Sequence, residues 1–538
     1  MSLGEDRRGV YDPRQKHAQT GRRVKPGNGS QTMSDEVLVN VGLGEIRVAV
    51  LESGLPVEFV LERTSEDELK AKTGRAGHSL LGNIFYGRVQ RVLPGMQAAF
   101  VEVGLSRAGF LGAREARCLC ELTGLDEGTL PPISSCVTEG QAILVQAVKD
   151  PIGEKGVRLS ANVTLPGRLL VMVPNQSGVV LSRRIEDEAE RDRLSALVSC
   201  LAEKFNALGV KGEPAGFIVR TAAIGMGREE LTEDARRLAD DWAEVRAAEK
   251  KSSPPAVLFH DLDPVAKTMR DFVSMDTERV LIDDADAYQE AIRYCKRTMP
   301  HMAERVHLVN GPGTVFDDFD IDGAIETALD PRVELPSGGW ITIETTEALT
   351  AIDVNSGRYT AATGLEETSV RSNLEAAEAI VSQVRLRGTG GLIVIDFIHM
   401  GDPDNIEKVL ATLNDGFEKD RVPTQVSAMS EFGLVEMTRK RVREPLEKLL
   451  TEPVYGDGRP RMKTRGTMAN ELLRAIERVA ARYPGAPISA RAAPEVIAWL
   501  AETHARLVKE LEARVAGPVN LEPMCGFDRE QIDVGPVR

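Results

Sequence analysis

No run of apolar residues in this chain approaches the roughly 18–20 that a membrane-crossing helix needs, and the N-terminal stretch lacks the apolar core of a secretory signal. Cysteine is scarce. Its six residues, Cys118, Cys120, Cys136, Cys200, Cys295 and Cys525, are too scattered over 538 positions for a disulfide framework. Cys118, Cys120 and Cys136 carry no C-x-x-C pair for zinc, so free thiols in a reducing cytoplasm are expected. Net positive charge is also missing. The formal charge of −15 argues against indiscriminate nucleic-acid binding over the whole surface, but leaves room for a local basic groove. Two basic stretches qualify, Arg385 with Arg387 and Arg439-Lys440-Arg441 with Arg443, and each serves equally as a solvated helix face. There is no internal repeat and no sustained heptad.

What remains is an ordinary globular composition, 42% apolar and 28% charged, long enough for three to five domains at roughly 100–200 residues each. Residues 1–33 are polar, punctuated by Gly and Pro, and predict a disordered extension. Alternating apolar positions predict strands over Val37–Leu51, and a β-rich block runs from Ile84 to Leu159. Helical periodicity follows at Asp187–Asn206, Glu229–Lys250 and Ala285–Thr298, and returns at Met468–Arg482 and Pro494–Val515. Ser372-Asn373 reads as the N-cap of a helix whose apolar stripe is Leu374, Ala377, Val381 and Val384.

Two apolar, β-branched runs end on a carboxylate: Leu349–Asp353, followed by Asn355-Ser356-Gly357, and Leu392–Asp396. The second predicts a buried strand. A charge at the end of such a strand needs a cation or hydrogen-bond donors. Two of them suit a shared hard metal such as magnesium; the competing reading makes both simple strand-end turn formers. The 43 residues between Asp353 and Asp396 can hold a crossover helix, which allows both strand ends to lie at one edge of one sheet.

The β-rich block has the character of a small barrel for single-stranded RNA, with Phe100 and Phe110 as stacking platforms and Arg88, Lys149 and Lys155 along the backbone path. The competing reading, the favoured one for isolated phenylalanines in strands, puts both in the core. Arg220-Thr221, after the strand-like Gly216–Val219, sets a fork-shaped cation and a hydroxyl at a strand end, which suits a phosphate. Asp318–Gly323 opens like a calcium loop, but its twelfth position is Leu329 instead of the bidentate Glu, so an acidic helix start is expected there.

Taken together, Gly87–Gly104, Gly109-Phe110-Leu111, Gly216–Ala223, Ser337–Gly357, Asn373–Phe397 and Phe432–Arg441 resemble the ribonuclease E/G family, in its G-type layout. The resemblance implies an α/β multidomain chain: a split ribonuclease-H-like subdomain at residues 34–77 and 265–328 surrounds an inserted S1-type OB-fold β-barrel at 78–160 and a sensor of the RNA 5′ end at 161–264. A DNase-I-like α/β catalytic subdomain at 329–450, a link at 451–463 and a small α-rich C-terminal domain at 464–538 follow. It implies that Asp353 and Asp396 hold catalytic magnesium, that Asn355 assists at the scissile phosphate, that Phe100, Phe110 and Lys155 grip single-stranded RNA, and that Val171, Arg220 and Thr221 recognise a 5′-monophosphate. The implied activity is a cytoplasmic, magnesium-dependent endoribonuclease that leaves 5′-phosphate and 3′-hydroxyl ends in RNA processing or decay. A second reading keeps RNA binding and a regulatory role with little catalysis; a third is a translation-associated OB-fold protein, which leaves the carboxylate pair unexplained.

Three positions depart from the family pattern. The stretch Thr451–Gly458, where the family carries a zinc-sharing cysteine pair, has no cysteine. Pro423 replaces a basic residue of the 5′-end pocket, and His399 stands where a second Asp is usual. A homo-oligomer remains allowed, but not one linked by zinc. Metal analysis of the purified chain should therefore find no structural zinc at the link; one equivalent bound there would contradict this.

Overall fold

The computed structural model describes residues 35–63, 80–120, 130–150, 156–174, 176–208, 215–309, 314–357, 365–454, 461–503 and 505–537. The disordered extension expected at 1–33, Lys155 and residues 455–460 of the link lie outside them. The chain divides into two compact units: one joins residues 1–61, 276–288 and 305–538, and the other joins 62–275 with 289–304.

In the second unit, five strands close on themselves in the order Ile84–Leu93, Ala98–Glu102, Gly109–Gly112, Arg158–Ser160 and Ala142–Lys149, the last pairing back onto the first. Alternate residues turn inward, and Phe85, Val89, Val101, Leu111, Val145 and Leu159 fill the barrel. At Gly109 a Cβ would stand 2.4 Å from the Leu159 side chain, so the tight interior admits only glycine there. Beside the barrel, a four-stranded sheet (Val179–Leu181, Ala215–Val219, Leu170–Pro174, Leu165–Pro166) packs against helices Glu188–Leu208 and Arg228–Lys251 through Leu170, Phe217, Leu194, Val198 and Trp242.

The first unit holds two larger sheets. In one, Asp35–Val41 pairs in parallel with Thr277–Ile282 and antiparallel with Glu45–Glu52, so strands from both sides of the second unit's sequence share a sheet. The other is a six-stranded mixed sheet ordered Arg332–Glu334, Trp340–Thr345, Leu349–Asn355, Gly391–Asp396, Leu434–Arg439, Thr424–Met429. Helices Leu365–Leu386 and Pro403–Glu418 lie against one face of it. Ile341, Ile343, Ile352, Val354, Ile393, Ile395, Val435 and Met437 meet Ala376, Ala377, Ile380, Val384, Val409 and Leu413 there. The opposite face keeps its side chains exposed or half-buried. The Gly391–Asp396 strand is thus half-buried, with Leu392 exposed, and not the fully buried strand its apolar run predicts. A short β-branched run looks alike whether helices cover one face or two.

The cap expected at Ser372-Asn373 is also displaced. The helix already runs from Leu365, which puts both residues in its interior, fully buried. A Ser-Asn pair ahead of an apolar stripe imitates a cap; here the amide serves another purpose, described below. The acidic run at Asp318–Gly323 leads into helix Ile321–Leu329, as expected, and Asp322 pairs with Arg47 at 2.5 Å. The C-terminal segment adds a three-stranded sheet (Val519–Pro523, Ile488–Ala492, Ile532–Pro536) to its three helices Arg465–Arg482, Pro494–Thr503 and Ala505–Val515.

A buried ion pair ties the edge of the six-stranded sheet. Arg439 Nε donates to Asp420 Oδ2 at 2.7 Å and its Nη1 to the Thr389 carbonyl at 2.8 Å, while Asp420 Oδ1 accepts from the Val422 amide at 3.0 Å. Both side chains are almost wholly buried. Removing one partner strands the other charge, so Asp420→Ala should destabilise this unit by about 3–5 kcal/mol in a denaturant titration. The double exchange Asp420→Leu with Arg439→Met should cost clearly less; a single variant as stable as wild type would show that the pair is not a coupled unit.

Candidate active site and RNA-binding surfaces

The parallel pairing of Leu349–Asn355 with Gly391–Asp396 runs Ile352 against Ile395 and Asp353 against Asp396. With Ile352 and Ile395 on the helix-covered face, both carboxylates fall on the exposed one. Across the sheet the same row reads Arg332, Thr342, Asp353, Asp396, Leu434. At the roughly 5 Å spacing of neighbouring strands, two carboxylates repel by about 1 kcal/mol even in water-like surroundings. Among the described residues no Lys or Arg forms an ion pair with either one. The Asn355 amide donates to Asp353 Oδ2 at 2.7 Å. Gly357, at φ +64°, closes the turn after Asn355 against Gly338, where a Cβ would stand 2.4 Å from the Gly338 carbonyl oxygen.

Sequence reasoning missed the residue that fixes the far side of this pair. Buried Asn373 donates its amide to the Ile398 carbonyl at 2.7 Å and accepts from the Ile398 amide at 3.0 Å. That two-bond clamp sets the backbone two residues beyond Asp396. His399 is exposed. It lies beside Glu366, whose carboxyl is held below its usual range by hydrogen bonds from the Gly401 backbone, the Asn405 side chain and the Asp402 backbone, with His399 a lesser contributor. On the same face as the carboxylates, Arg332 covers the Trp340 ring at 4.1 Å and pairs with Glu334 at 2.7 Å.

On the barrel, Phe100 and Phe110 are not core. They sit opposite each other on adjacent strands, half-buried on the outer surface, with ring centroids 6.1 Å apart and edges toward faces. Strand pairing extends this row to Arg91 beside Phe100, and to Arg158 and then Lys149 beyond Phe110. All three cations are exposed. Two aromatic faces between cations can stack bases and neutralise phosphates at once. Arg88, by contrast, turns its guanidinium to the Gly140 carbonyl at 3.1 Å. Arg91 and Arg158 were invisible in the sequence because only pairing across strands, with a bulge between Val89 and Arg91, puts them in the row.

The third group also converges. Val171 pairs with Ile218, and the Arg220 amide bonds to the Leu169 carbonyl at 2.9 Å. The Arg220 guanidinium donates to the Gly167 carbonyl at 2.6 Å and to Asp271 at 3.0 Å, which aims it while leaving it partly exposed. Burial alone would raise the Asp271 carboxyl, but Arg270 and then Arg220 hold it below its ordinary value. Thr221 opens a short 3-10 turn, exposed. Glu190 pins that turn: it takes two bonds from Arg193, at 2.6 and 2.7 Å, and one from the Gly225 amide at 2.8 Å.

Those bonds, Arg193 first, pull the Glu190 carboxyl down to about 2. A depressed carboxyl contributes stability that is complete above its unfolded value, near 4.3, and is lost as pH falls toward about 2. At neutral pH, Glu190→Gln should therefore raise amide hydrogen exchange at Gly225 and its neighbours without changing exchange in the barrel. Unchanged exchange at Gly225 would show that Glu190 does not hold the turn.

Comparison with known proteins places the chain in a family. The model of the ribonuclease E/G family matches residues 164–442. Ribonuclease G of Escherichia coli strain K12 is 38% identical over 506 residues, covering 93% of this chain and 99% of that protein. Ribonuclease G of Haemophilus influenzae is 39% identical over 505 residues, with the same coverage of both chains. Ribonuclease E of Nostoc sp. is 36% identical over 433 residues, 79% of this chain and 60% of that protein. A match over half the chain, and relatives spanned almost end to end, have one meaning: the chain belongs to the ribonuclease E/G family.

Proposed function

We propose that this endoribonuclease cuts single-stranded RNA with the help of magnesium held by Asp353 and Asp396, leaving 5′-phosphate and 3′-hydroxyl ends, in RNA processing or decay. The observation that carries the reading is the exposed, in-register carboxylate pair with no cation of its own among the described residues. The donor set fits magnesium. No cluster of three or more His, Cys, Asp or Glu surrounds the pair among the described residues, and magnesium commonly uses one or two carboxylates, keeps several waters and shares substrate phosphates. When bound, it supplies Lewis acidity to the scissile phosphate and lowers the pKa of water.

The chain's own residues do the rest. Asp353 and Asp396 present oxygen donors on one exposed row, and Asn355 orients Asp353 through one N–H while its other has no partner among the described residues and can meet a phosphate oxygen. Asn373 holds the backbone that leaves Asp396. The barrel row of Arg91, Phe100, Phe110, Arg158 and Lys149 supplies stacking faces and phosphate partners for an unpaired strand. Val171, Arg220 and Thr221 form a place for a terminal phosphate, with Arg220 as its charge-assisted donor.

Asp353→Asn or Asp396→Asn should lower magnesium-dependent cleavage by at least about 100-fold while leaving oligonucleotide affinity nearly intact; a variant that cuts at the wild-type rate removes this assignment. The exposed Pro423 brings neither charge nor donor. The preference for a 5′-monophosphate over a 5′-hydroxyl substrate should accordingly stay below about tenfold in kcat/KM, a difference of about 1.4 kcal/mol. A much larger ratio in a paired kinetic assay would refute it.

A further inference from the structure

Phe432 is the most exposed large apolar side chain among the described residues, at 89%. A single exposed apolar side chain is no signal by exposure alone, but this ring does not ride on a slack tip. The turn Ser430-Glu431-Phe432-Gly433 is pinned at its base. The Gly433 amide bonds to the Ser430 carbonyl at 3.0 Å, the Ser430 amide to the Leu434 carbonyl at 2.8 Å, and the Leu434 amide to Ser430 Oγ at 3.2 Å. Gly433 supplies the left-handed conformation the turn needs, at φ +81°. Leu434 then lies directly across from Asp396, which lies directly across from Asp353. At ~3.4 Å per residue along the strand and ~4.8 Å between strands, the backbone of Phe432 is about 8–10 Å from that of Asp396.

We propose that Phe432 is a stacking platform for a base of the RNA substrate beside the bond that is cut. The proposal rests on the reading of Asp353 and Asp396 as the cutting centre, and it deepens that reading by adding a contact that seats the strand over it. A rigid π-face next to a pair of carboxylates offers what a base needs, and stacking asks for one ring only, of any base sequence. A protein partner asks for more. Specific interfaces bury a contiguous apolar core, whereas the residues flanking Phe432 in its turn, Glu431 and Gly433, add no apolar surface to it.

The test uses the full chain and a short single-stranded oligoribonucleotide carrying 2-aminopurine at successive positions around the bond that is cut when magnesium is added. In chelator, where binding is read without cleavage, wild type should quench the probe at one position next to that bond. Phe432→Ala should abolish that quench and weaken binding roughly 5- to 100-fold. Phe432→Tyr and Phe432→Trp should restore both, and in magnesium the alanine variant should raise KM with the tyrosine variant unaffected. Unchanged quench and affinity in Phe432→Ala would overturn the proposal. So would a change of oligomeric state in that variant by sedimentation, which would make the ring a contact between copies. Because the chelator measurement needs no cleavage, a failed stacking contact is distinguishable from a failed cutting centre, which shows only as activity retained in the Asp353→Asn protein.

Discussion

Everything proposed for the cutting centre depends on the parallel register that puts Asp353 beside Asp396. Side chains alternate along a strand, so a slip of one residue would send a carboxylate into the helix-covered face and an isoleucine into solvent. The apolar partners make that slip prohibitive. Ile352, Val354, Ile393 and Ile395 are buried against the Leu365–Leu386 and Pro403–Glu418 helices, and moving even one ionised carboxylate there would cost several kcal/mol. The core therefore selects the face on which the acids stand. Asn373 extends the same control past the strand end, through a fully buried amide that satisfies both polar groups of Ile398.

This arrangement also changes the physical argument for why the acids are there. Both carboxylates are exposed, so burial gives no reason to expect a partner. What remains unusual is the juxtaposition of like charges with no cation among the described residues. Elsewhere in the same unit carboxylates are matched: Asp420 by Arg439, Asp322 by Arg47 and Arg478, Glu52 by Arg385. The contrast marks the Asp353–Asp396 row as a place where the counter-charge comes from outside the chain.

Much of the fold was legible because it is local. The helix Ala285–Thr298 matches its periodicity to the residue, alternation marks the strands of Val37–Leu51, and the two carboxylate-ended runs follow from their β-branched apolar residues. The resemblance then placed roles on Asp353, Asn355 and Asp396 that spacing alone left open. What stayed hidden is set by pairing between distant segments. Whether Phe100 and Phe110 face the barrel interior or solvent depends on register, and Arg91 and Arg158 join their row only through it. Asn373 was misread because a Ser-Asn pair before an apolar stripe carries the same local signal inside a helix as at its start. Trp340 and Arg332 gave no sequence signal at all; their contact exists because adjacent strands bring them onto one face.

The central claim is that Asp353 and Asp396 together hold one divalent ion. A manganese titration followed by electron paramagnetic resonance, on the wild-type chain and on the two single Asp→Asn variants, reads that ion without any turnover. The account predicts one bound ion per wild-type chain at this site, lost in both variants with the folded signal unchanged. Equal binding by wild type and both variants would contradict it.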